Sequence, residues 1–144
     1  MSRSLNDLHP DAFQLVENFL ARVDNLGIDL LVTCTFRSDA EQELLYAQGR
    51  TAPGKIVTWA RAGESKHNSM LNGRPASRAI DVVPLRHGKC VWGTSGNGLD
   101  DDPTDDERDD LELWLRVAAC GKLAGLQWAG EWPKNKREFP HFQA

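Results

Sequence analysis

Residues 28–36 alternate between apolar and polar side chains, and this pattern limits the fold more than any other feature of the sequence. An alternation with a period of two is typical of a strand that buries one face. Arg37 follows this strand on its polar side. A second apolar run, residues 79–83, has the character of a buried strand, and residues 90–92 are expected to pair with it. The sequence therefore predicts a sheet with a buried face.

Two helices are predicted to flank the first strand. Apolar residues at helical spacing indicate a helix that begins near Pro10 and stops at Gly27. Ser38 and Glu41 can form a capping box, in which each side chain satisfies a free backbone amide at the start of a second helix. Gly49 is expected to end that helix.

A third helix is predicted in the second half of the chain. Thr104 and Glu107 form another capping box, which opens a helix that runs to about Leu123. Four of its residues are expected to face the core: Leu111, Trp114, Leu115 and Ala118. The tail from residue 125 is predicted to form a strand, a turn and a second strand.

The remaining segments complete a prediction of one α+β domain. Residues 51–77 are rich in Gly, Pro, Ser and Asn, which favours loop, with a short element at residues 56–60. Residues 93–102 are expected to form a flexible connection. A chain of 144 residues can bury a core without disulfides, so we assign residues 1–144 to a single domain. We expect a small antiparallel sheet with helices packed on one side.

The charge of the chain argues against general nucleic-acid binding. The net charge is -4, whereas such binding depends on Lys and Arg side chains that neutralise phosphates. Eight acidic residues fall within residues 100–110, where carboxylates in a first helical turn favour the helix dipole. A calcium site there is the alternative. The mildly basic remainder could meet an anionic polymer such as a cell wall.

Other bulk features favour a soluble protein that folds in the cytoplasm. No apolar run approaches the roughly 20 residues that cross a bilayer, and the start of the chain lacks the apolar segment of a signal peptide. Cys34, Cys90 and Cys120 match no zinc knuckle or redox pair, so we interpret them as thiols in a reducing compartment. We expect a monomer without stable membrane association.

Four polar residues in distant segments suggest a metal site. His67 and Asp81 stand at the two ends of a polar segment, and Glu138 and His141 lie near the C-terminus. A catalytic zinc ion typically takes three protein ligands from His, Asp or Glu and keeps a fourth position for water. Such a site lowers the pKa of the water, and a carboxylate that is not a ligand can accept its proton. From the residue types alone, a hydrogen-bonded structural role for the histidines is an equal alternative.

Four stretches of the sequence, taken together, resemble a known family. They are TFRSDAEQELLYAQGRT (35–51), SKHN (65–68), SRAID (77–81) and GLQWAGEWPKNKREFPHFQ (125–143). In this order they resemble the L-alanyl-D-glutamate peptidases of phage endolysins. That family belongs with VanY-like D-alanyl-D-alanine carboxypeptidases in the wider lysostaphin and hedgehog-type zinc peptidase group, so the resemblance implies a hedgehog/DD-peptidase-like fold.

The resemblance implies a role for each residue of the suspected metal site. The family's S-x-H and A-x-D words make His67 and Asp81 ligands of Zn2+. Its acid-x-P-H-F word makes His141 the third ligand and Glu138 the catalytic base.

The resemblance also covers residues beside the metal site. Arg37 matches an arginine that helps to bind the substrate or the transition state, and Ser65 matches a position that supports the site. Gln42, Tyr46 and residues 49–51 match as well, and we interpret them as architectural.

The chain departs from the family pattern in three places. A loop insertion separates His67 from Asp81, and we expect residues 70–76 to lie at the rim of the substrate cleft. Doubling a flexible loop costs only about 0.6 kcal/mol, so the metal can tolerate the insertion. Ser77 replaces a common Gly, and Glu138 stands where many relatives carry Asp.

Other candidate residues have a structural interpretation. His87 and Cys90 lack further metal ligands nearby in the sequence and are expected to belong to a turn. Trp128 and Trp132 could line a groove for a glycan or peptide, but indoles beside a short strand favour the core.

The predicted function is zinc-dependent hydrolysis of peptidoglycan stem peptides, between L-Ala and D-Glu. The resemblance implies an endolysin that waits in the host cytoplasm until a holin opens the membrane, and then acts in the cell wall or periplasm. The alternatives are a D-Ala-D-Ala carboxypeptidase and a non-catalytic, wall-binding zinc protein. A closed structural zinc site normally uses four protein ligands, so three ligands and a free carboxylate favour catalysis.

Overall fold

The computed structural model describes residues 1–93 and 106–144. The α-helices in these ranges are α1 (Pro10–Asn25), α2 (Asp39–Ala47) and α3 (Asp106–Leu123). The strands there are β1 (Asp29–Cys34), β2 (Met70–Leu71), β3 (Arg74–Pro75), β4 (Ala79–Arg86), β5 (Lys89–Cys90), β6 (Gln127–Trp128) and β7 (His141–Gln143). Helices and a small antiparallel sheet confirm the predicted α+β class. None of the described helices has the length and apolar character that a bilayer crossing requires.

The main sheet is built around β4. Its strand order is β1-β4-β7-β6, and β5 forms a hairpin with the end of β4. All these pairs are antiparallel, and their register places Asp81 of β4 beside Cys34 of β1 and beside His141 of β7. The sheet therefore brings together polar residues from three distant parts of the chain.

The hydrophobic core lies between the sheet and two of the helices. Phe19 of α1 and Trp114 of α3 are fully buried and pack against Ile80 of β4 and Phe142 of β7. Gly121 of α3 lies so close to Phe142 that an added Cβ would stand 2.6 Å from the ring. The core thus anchors β4 and β7, the two strands that carry Asp81 and His141.

The first two helices begin as predicted. The His9 ring accepts a hydrogen bond from the Asp11 amide at the start of α1. At the start of α2, Ser38 and Glu41 form the expected capping box. Gly49 follows α2 with a φ of +78°, a conformation that favours glycine.

The inward face of α3 differs from the prediction. Trp114 and Ala118 are buried as expected, but Leu111 and Leu115 are 38% and 49% exposed. Asp110 is fully buried and forms an ion pair with Arg86 of β4. An apolar pattern cannot anticipate a buried acid, and here Asp110 faces inward whereas Leu111 and Leu115 face outward.

Two polar side chains predicted on the exposed face of the first strand are buried. Thr35 is fully buried and Arg37 is only 9% exposed. The cause is the start of the chain, which lies alongside: the Thr35 amide donates to the Ser2 carbonyl, and the Thr35 hydroxyl donates to the Ser4 carbonyl. A register shift between Val32 and Cys34 also interrupts the alternation.

The loop region holds a hairpin that was not predicted. Residues 56–60 form neither helix nor strand, whereas β2 and β3 pair around Asn72 and Gly73, whose φ values are +52° and +72°. An Asn-Gly pair is the usual sequence of such a two-residue turn. The capping box at Thr104 and most of the suggested connection and calcium site lie outside the described residues.

Candidate active site

Three of the predicted site residues converge on one point. Nε2 of His67 lies 3.0 Å from Oδ1 of Asp81 and 3.2 Å from Nδ1 of His141. Nδ1 of His141 lies 3.1 Å from the same Asp81 oxygen. His67 is carried by a short 3-10 helix (Lys66–Asn68), while the sheet register supplies the other two residues. The structure therefore brings three potential ligand atoms into one triangle.

Hydrogen bonds on the far side of each ring orient both imidazoles. Nδ1 of His67 lies 2.6 Å from the carbonyl of Thr35, and Nε2 of His141 lies 3.0 Å from Oε1 of Gln143. A carbonyl oxygen only accepts hydrogen bonds, so Nδ1 of His67 carries a proton. The nitrogens that face Asp81 are then free to offer lone pairs, an arrangement that metal-binding histidines commonly use.

The charges in this triangle are strongly coupled. Burial alone lowers the pKa of the His67 imidazole, but the adjacent Asp81 carboxylate outweighs burial and raises that pKa to about 10. Burial in turn raises the pKa of Asp81, but His67 and His141 outweigh it and hold that pKa well below its usual range. The triangle therefore binds a proton tightly, and the Asp81 carboxylate in it is suited to bind a cation.

Glu138 lies at the same site but outside the triangle. It lines a cavity of about 780 Å³ together with His67, Asp81 and His141. Burial of its half-exposed side chain raises the pKa of Glu138, and the neighbouring His141 partly offsets this rise. A carboxylate with raised proton affinity beside a cavity is suited to accept and return a proton.

Arg37 points into the cavity and is held from two sides. Its Nη2 atom lies 3.5 Å from Oδ2 of Asp81, and its Nη1 donates to Oε1 of Gln42 at 2.9 Å. Gln42 is itself fully buried, and its Nε2 donates to the carbonyl of Ala60 at 2.7 Å. Gln42 thus positions the guanidinium, a more specific task than the architectural one inferred from the sequence.

Ser65 stabilises the turn that carries His67. Its hydroxyl accepts a hydrogen bond from the His67 amide, and its own amide donates to the side chain of Asn68. The Asn68 amide group donates to the carbonyl of Arg37, and the Arg37 amide donates to the carbonyl of His67. The turn and the end of the first strand are thereby tied together.

The other residues matched to the family connect α2 to the loop that follows it. Arg50 donates to the carbonyls of Tyr46 and Thr58, and its guanidinium lies 3.8 Å from the centre of the Tyr46 ring. A Cβ at Gly49 would stand 2.6 Å from the Ile56 amide nitrogen. These contacts hold α2 against the following loop and agree with an architectural role.

Cys34 is a neighbour of the site that the sequence did not reveal. Cys34, His67 and Asp81 form a cluster that could hold a metal ion, with their potential ligand atoms within 4.8 Å of one another. The thiol, however, lies 3.7 Å from Nδ1 of His67, the nitrogen that also faces Thr35. In the sequence, Cys34 follows the alternation of an ordinary core residue of a strand. Its closeness to the site becomes apparent only from the pairing of β1 with β4, which places it beside Asp81.

Two predictions concerned the surroundings of the site: the place of the tryptophans and the place of the inserted loop. Trp128 is buried in the core as predicted, whereas Trp132 lines the cavity. Residues 70–76 do not line the cavity, so the expectation that they form its rim is wrong. The insertion forms the β2–β3 hairpin instead.

The remaining histidine and cysteine candidates are structural or free. His87 occupies the turn between β4 and β5 with a φ of +52°, as its sequence context indicated. Cys34, Cys90 and Cys120 are all free thiols.

Comparison with known proteins agrees with the geometry of the site. The chain matches no protein-family model. It is 37% identical over 139 residues to the peptidoglycan L-alanyl-D-glutamate endopeptidase CwlK of Bacillus subtilis (strain 168), an alignment that covers 96% of this chain and 74% of that protein. The chain therefore belongs to the peptidoglycan L-alanyl-D-glutamate peptidases, within the VanY-like group of hydrolases.

Proposed function

We propose that this protein is a zinc peptidase that cleaves the bond between L-Ala and D-Glu in peptidoglycan stem peptides. The observation that carries the proposal is the triangle of His67 Nε2, Asp81 Oδ1 and His141 Nδ1, with edges of 3.0–3.2 Å. Ligands about 2.0–2.1 Å from a tetrahedral zinc ion would lie roughly 3.3 Å apart, so the donor set fits this ion closely.

We assign the metal to this triangle rather than to the set that includes Cys34. The two nitrogens of an imidazole point in different directions, and Cys34 faces the Nδ1 side of His67, whereas Asp81 and His141 face the Nε2 side. Nδ1 is already bonded to the Thr35 carbonyl. Cys34 therefore contacts the His67 ring on the side that faces away from the triangle.

The residues around the triangle have separate tasks. When bound, zinc would polarise the scissile carbonyl and lower the pKa of a water molecule. Glu138, whose pKa is raised by burial, would accept a proton from the attacking water and pass it to the nitrogen of the leaving D-Glu. Arg37 would stabilise the negative charge that develops on the carbonyl oxygen, since its guanidinium lies at the cavity beside Asp81.

Digestion of purified muropeptides tests this function. The zinc-loaded protein should release fragments with a new D-Glu amino terminus, identified by mass spectrometry after labelling of free amines. Glu138→Gln should release none while still binding one zinc ion per chain. Released D-Ala would instead support the carboxypeptidase alternative, and the absence of any product would support a wall-binding protein.

We also propose that the protein acts as a phage endolysin, on the strength of the sequence words shared with that family. Expression in the cytoplasm of a bacterium should then leave cells intact until the membrane is permeabilised, and lysis should follow within minutes. Cells that produce Glu138→Gln should stay intact after the same treatment. Intact cells after permeabilisation with the active protein would contradict the endolysin role.

A further inference from the structure

The cavity at the site has two lobes. The larger, of about 780 Å³, and a second of about 510 Å³ share five lining residues, including Asp81, Glu138 and His141. A peptide whose scissile bond lies at these shared residues can therefore place one part in each lobe. The side chains that line each lobe decide whether it binds the acyl side or the leaving side of the substrate.

The two lobes differ in the side chains that only one of them contains. The larger lobe, here called the aromatic lobe, is lined by Trp59 and Trp132. The smaller lobe, here called the basic lobe, is lined by Lys134 and Arg137, and among the described residues its acidic members are Asp81 and Glu138. Lys134 and Arg137 are exposed and form no ion pair with the described part of the chain.

The chemistry of the substrate, on the function proposed above, sets a requirement beside Glu138. The nitrogen that leaves in the reaction belongs to D-Glu, and the carbon bonded to it carries a free α-carboxylate because the stem peptide continues through the γ-carboxyl. This carboxylate must lie close to the group that protonates the nitrogen. Glu138 is not a ligand of the metal in this proposal and would repel the carboxylate, so a cation on the same side of the cavity would offset its charge.

Lys134 and Arg137 meet this requirement best. Arg137 directly precedes Glu138, and Lys134 begins the short 3-10 helix (Lys134–Lys136) that leads to it. A guanidinium can bind a carboxylate through two parallel hydrogen bonds. The aromatic lobe also has two lysines and Arg37, but Arg37 is already paired with Asp81. This lobe has the greater volume and the indole rings, which suit the bulkier acyl side with L-Ala and its attached sugar.

We propose that Lys134 and Arg137 form the subsite for the free α-carboxylate of D-Glu, and so determine specificity for an acidic residue on the leaving side. The aromatic lobe then receives L-Ala and the sugar. The substrate consequently lies in one direction only, with its negatively charged end in the basic lobe.

A pair of substrates that differ only in this carboxylate tests the proposal. One is a stem peptide with D-Glu at its second position, and the other carries D-isoglutamine there, which replaces the α-carboxylate by a neutral amide. The wild-type zinc enzyme should cleave the acidic peptide with the higher kcat/KM. Arg137→Gln should lower kcat/KM for the acidic peptide about fivefold through KM, as expected of a partly exposed ion pair, and leave the amide peptide nearly unchanged.

Three further variants make the test specific. Lys134→Gln should reduce the preference in the same direction, and Arg137→Lys should restore much of it because the charge returns. Lys89→Gln, an exposed lysine of β5 that lines neither lobe, should behave as the wild type on both peptides. Circular dichroism melting of each variant separates loss of binding from loss of folding.

Several outcomes would overturn the proposal. One is a wild-type enzyme that cleaves both peptides equally well, and another is an equal loss on both peptides in Arg137→Gln. Loss of the preference in Lys136→Gln but not in Arg137→Gln would place the carboxylate in the aromatic lobe and reverse the direction. In all these cases cleavage still exposes a new amino terminus, D-Glu in the acidic peptide and D-isoglutamine in the amide peptide, whereas failure of the proposed function itself would leave neither peptide cut at that bond.

Discussion

Nε2 of His67 lies 3.2 Å from Nδ1 of His141, although the two residues are 74 positions apart in the chain. Their other ring nitrogens are occupied by Thr35 and Gln143, so two lone pairs and the Asp81 carboxylate face one another. Such an arrangement is repulsive unless a proton or a metal cation lies between the groups. The site is therefore built to hold a cation, and its response to substitution should be selective.

Removal of one ligand should abolish metal binding, whereas removal of the base should not. We expect His67→Ala to lose both zinc and peptidase activity, and Glu138→Ala to retain zinc while its kcat falls by about two to four orders of magnitude, the usual contribution of a general base. Elemental analysis of dialysed protein and muropeptide digestion measure the two properties. His87→Asn is the matched histidine control, since His87 lies in the β4–β5 turn.

The opposite pattern would contradict the assignment. Zinc retained in His67→Ala at the wild-type stoichiometry would show that the ion binds elsewhere. Turnover by Glu138→Ala at the wild-type rate would show that another group accepts the proton.

Gln143 should control the zinc affinity without contacting the metal. Its Oε1 atom lies 3.0 Å from Nε2 of His141 and orients that ring. Gln143→Leu removes the acceptor, so we expect the zinc affinity to fall about 10- to 100-fold, the usual effect of losing such a partner. Competition with a fluorescent zinc chelator measures the change. Gln143→Glu keeps an acceptor and should stay much closer to the wild type; equal losses in both variants would point to a packing effect.

Gln42 should affect catalysis through Arg37. Gln42→Leu would leave the Arg37 guanidinium and the Ala60 carbonyl without their partner. We expect a free energy of unfolding lower by about 1–3 kcal/mol, because buried polar groups lose hydrogen bonds. Urea denaturation of the zinc-loaded protein measures this loss, and steady-state kinetics should show a lower kcat with unchanged zinc content.

The conservative variant Gln42→Glu separates positioning from packing. It keeps the acceptor for Arg37 but loses the donor to Ala60. We expect it to recover kcat more than stability. A Gln42→Leu enzyme with wild-type kcat would show that the position of Arg37 does not depend on Gln42.

Much of the fold could be predicted because its signals are local. The capping box of Ser38 and Glu41 and the start of α1 at Pro10 depend on residues within one helical turn, and both are present. The three members of the triangle could be named from short sequence words, because each word includes the strand or turn that carries the residue. Their convergence, by contrast, depends on the pairing of β4 with β7.

The remaining features depend on contacts between distant segments. Thr35 is buried by the first residues of the chain, and Nε of Arg37 donates to the sulfur of Met1, contacts that no local pattern indicates. Gln143 stands two residues after His141 in a strand, on the same face, so this partner could have been predicted from the period of two. The β2–β3 hairpin also had a local signal, since Asn72 and Gly73 favour its turn.

The buried ion pair of Asp110 and Arg86 gives a prediction that is independent of catalysis. Asp110 is fully buried on α3, and Arg86 lies at the end of β4, so the pair joins the third helix to the central strand. Asp110→Ala would leave a buried guanidinium without this partner, and we expect it to lower the free energy of unfolding by about 3–5 kcal/mol. The double variant Asp110→Leu with Arg86→Met should be more stable than Asp110→Ala, because it no longer buries the Arg86 guanidinium without its carboxylate partner. Urea denaturation at a fixed zinc concentration measures both values, and Glu112→Ala, an exposed acid on the same helix, serves as a comparison. A loss below about 1 kcal/mol in Asp110→Ala would mean that water reaches Arg86 after the substitution and that the pair contributes little to the junction between α3 and the sheet.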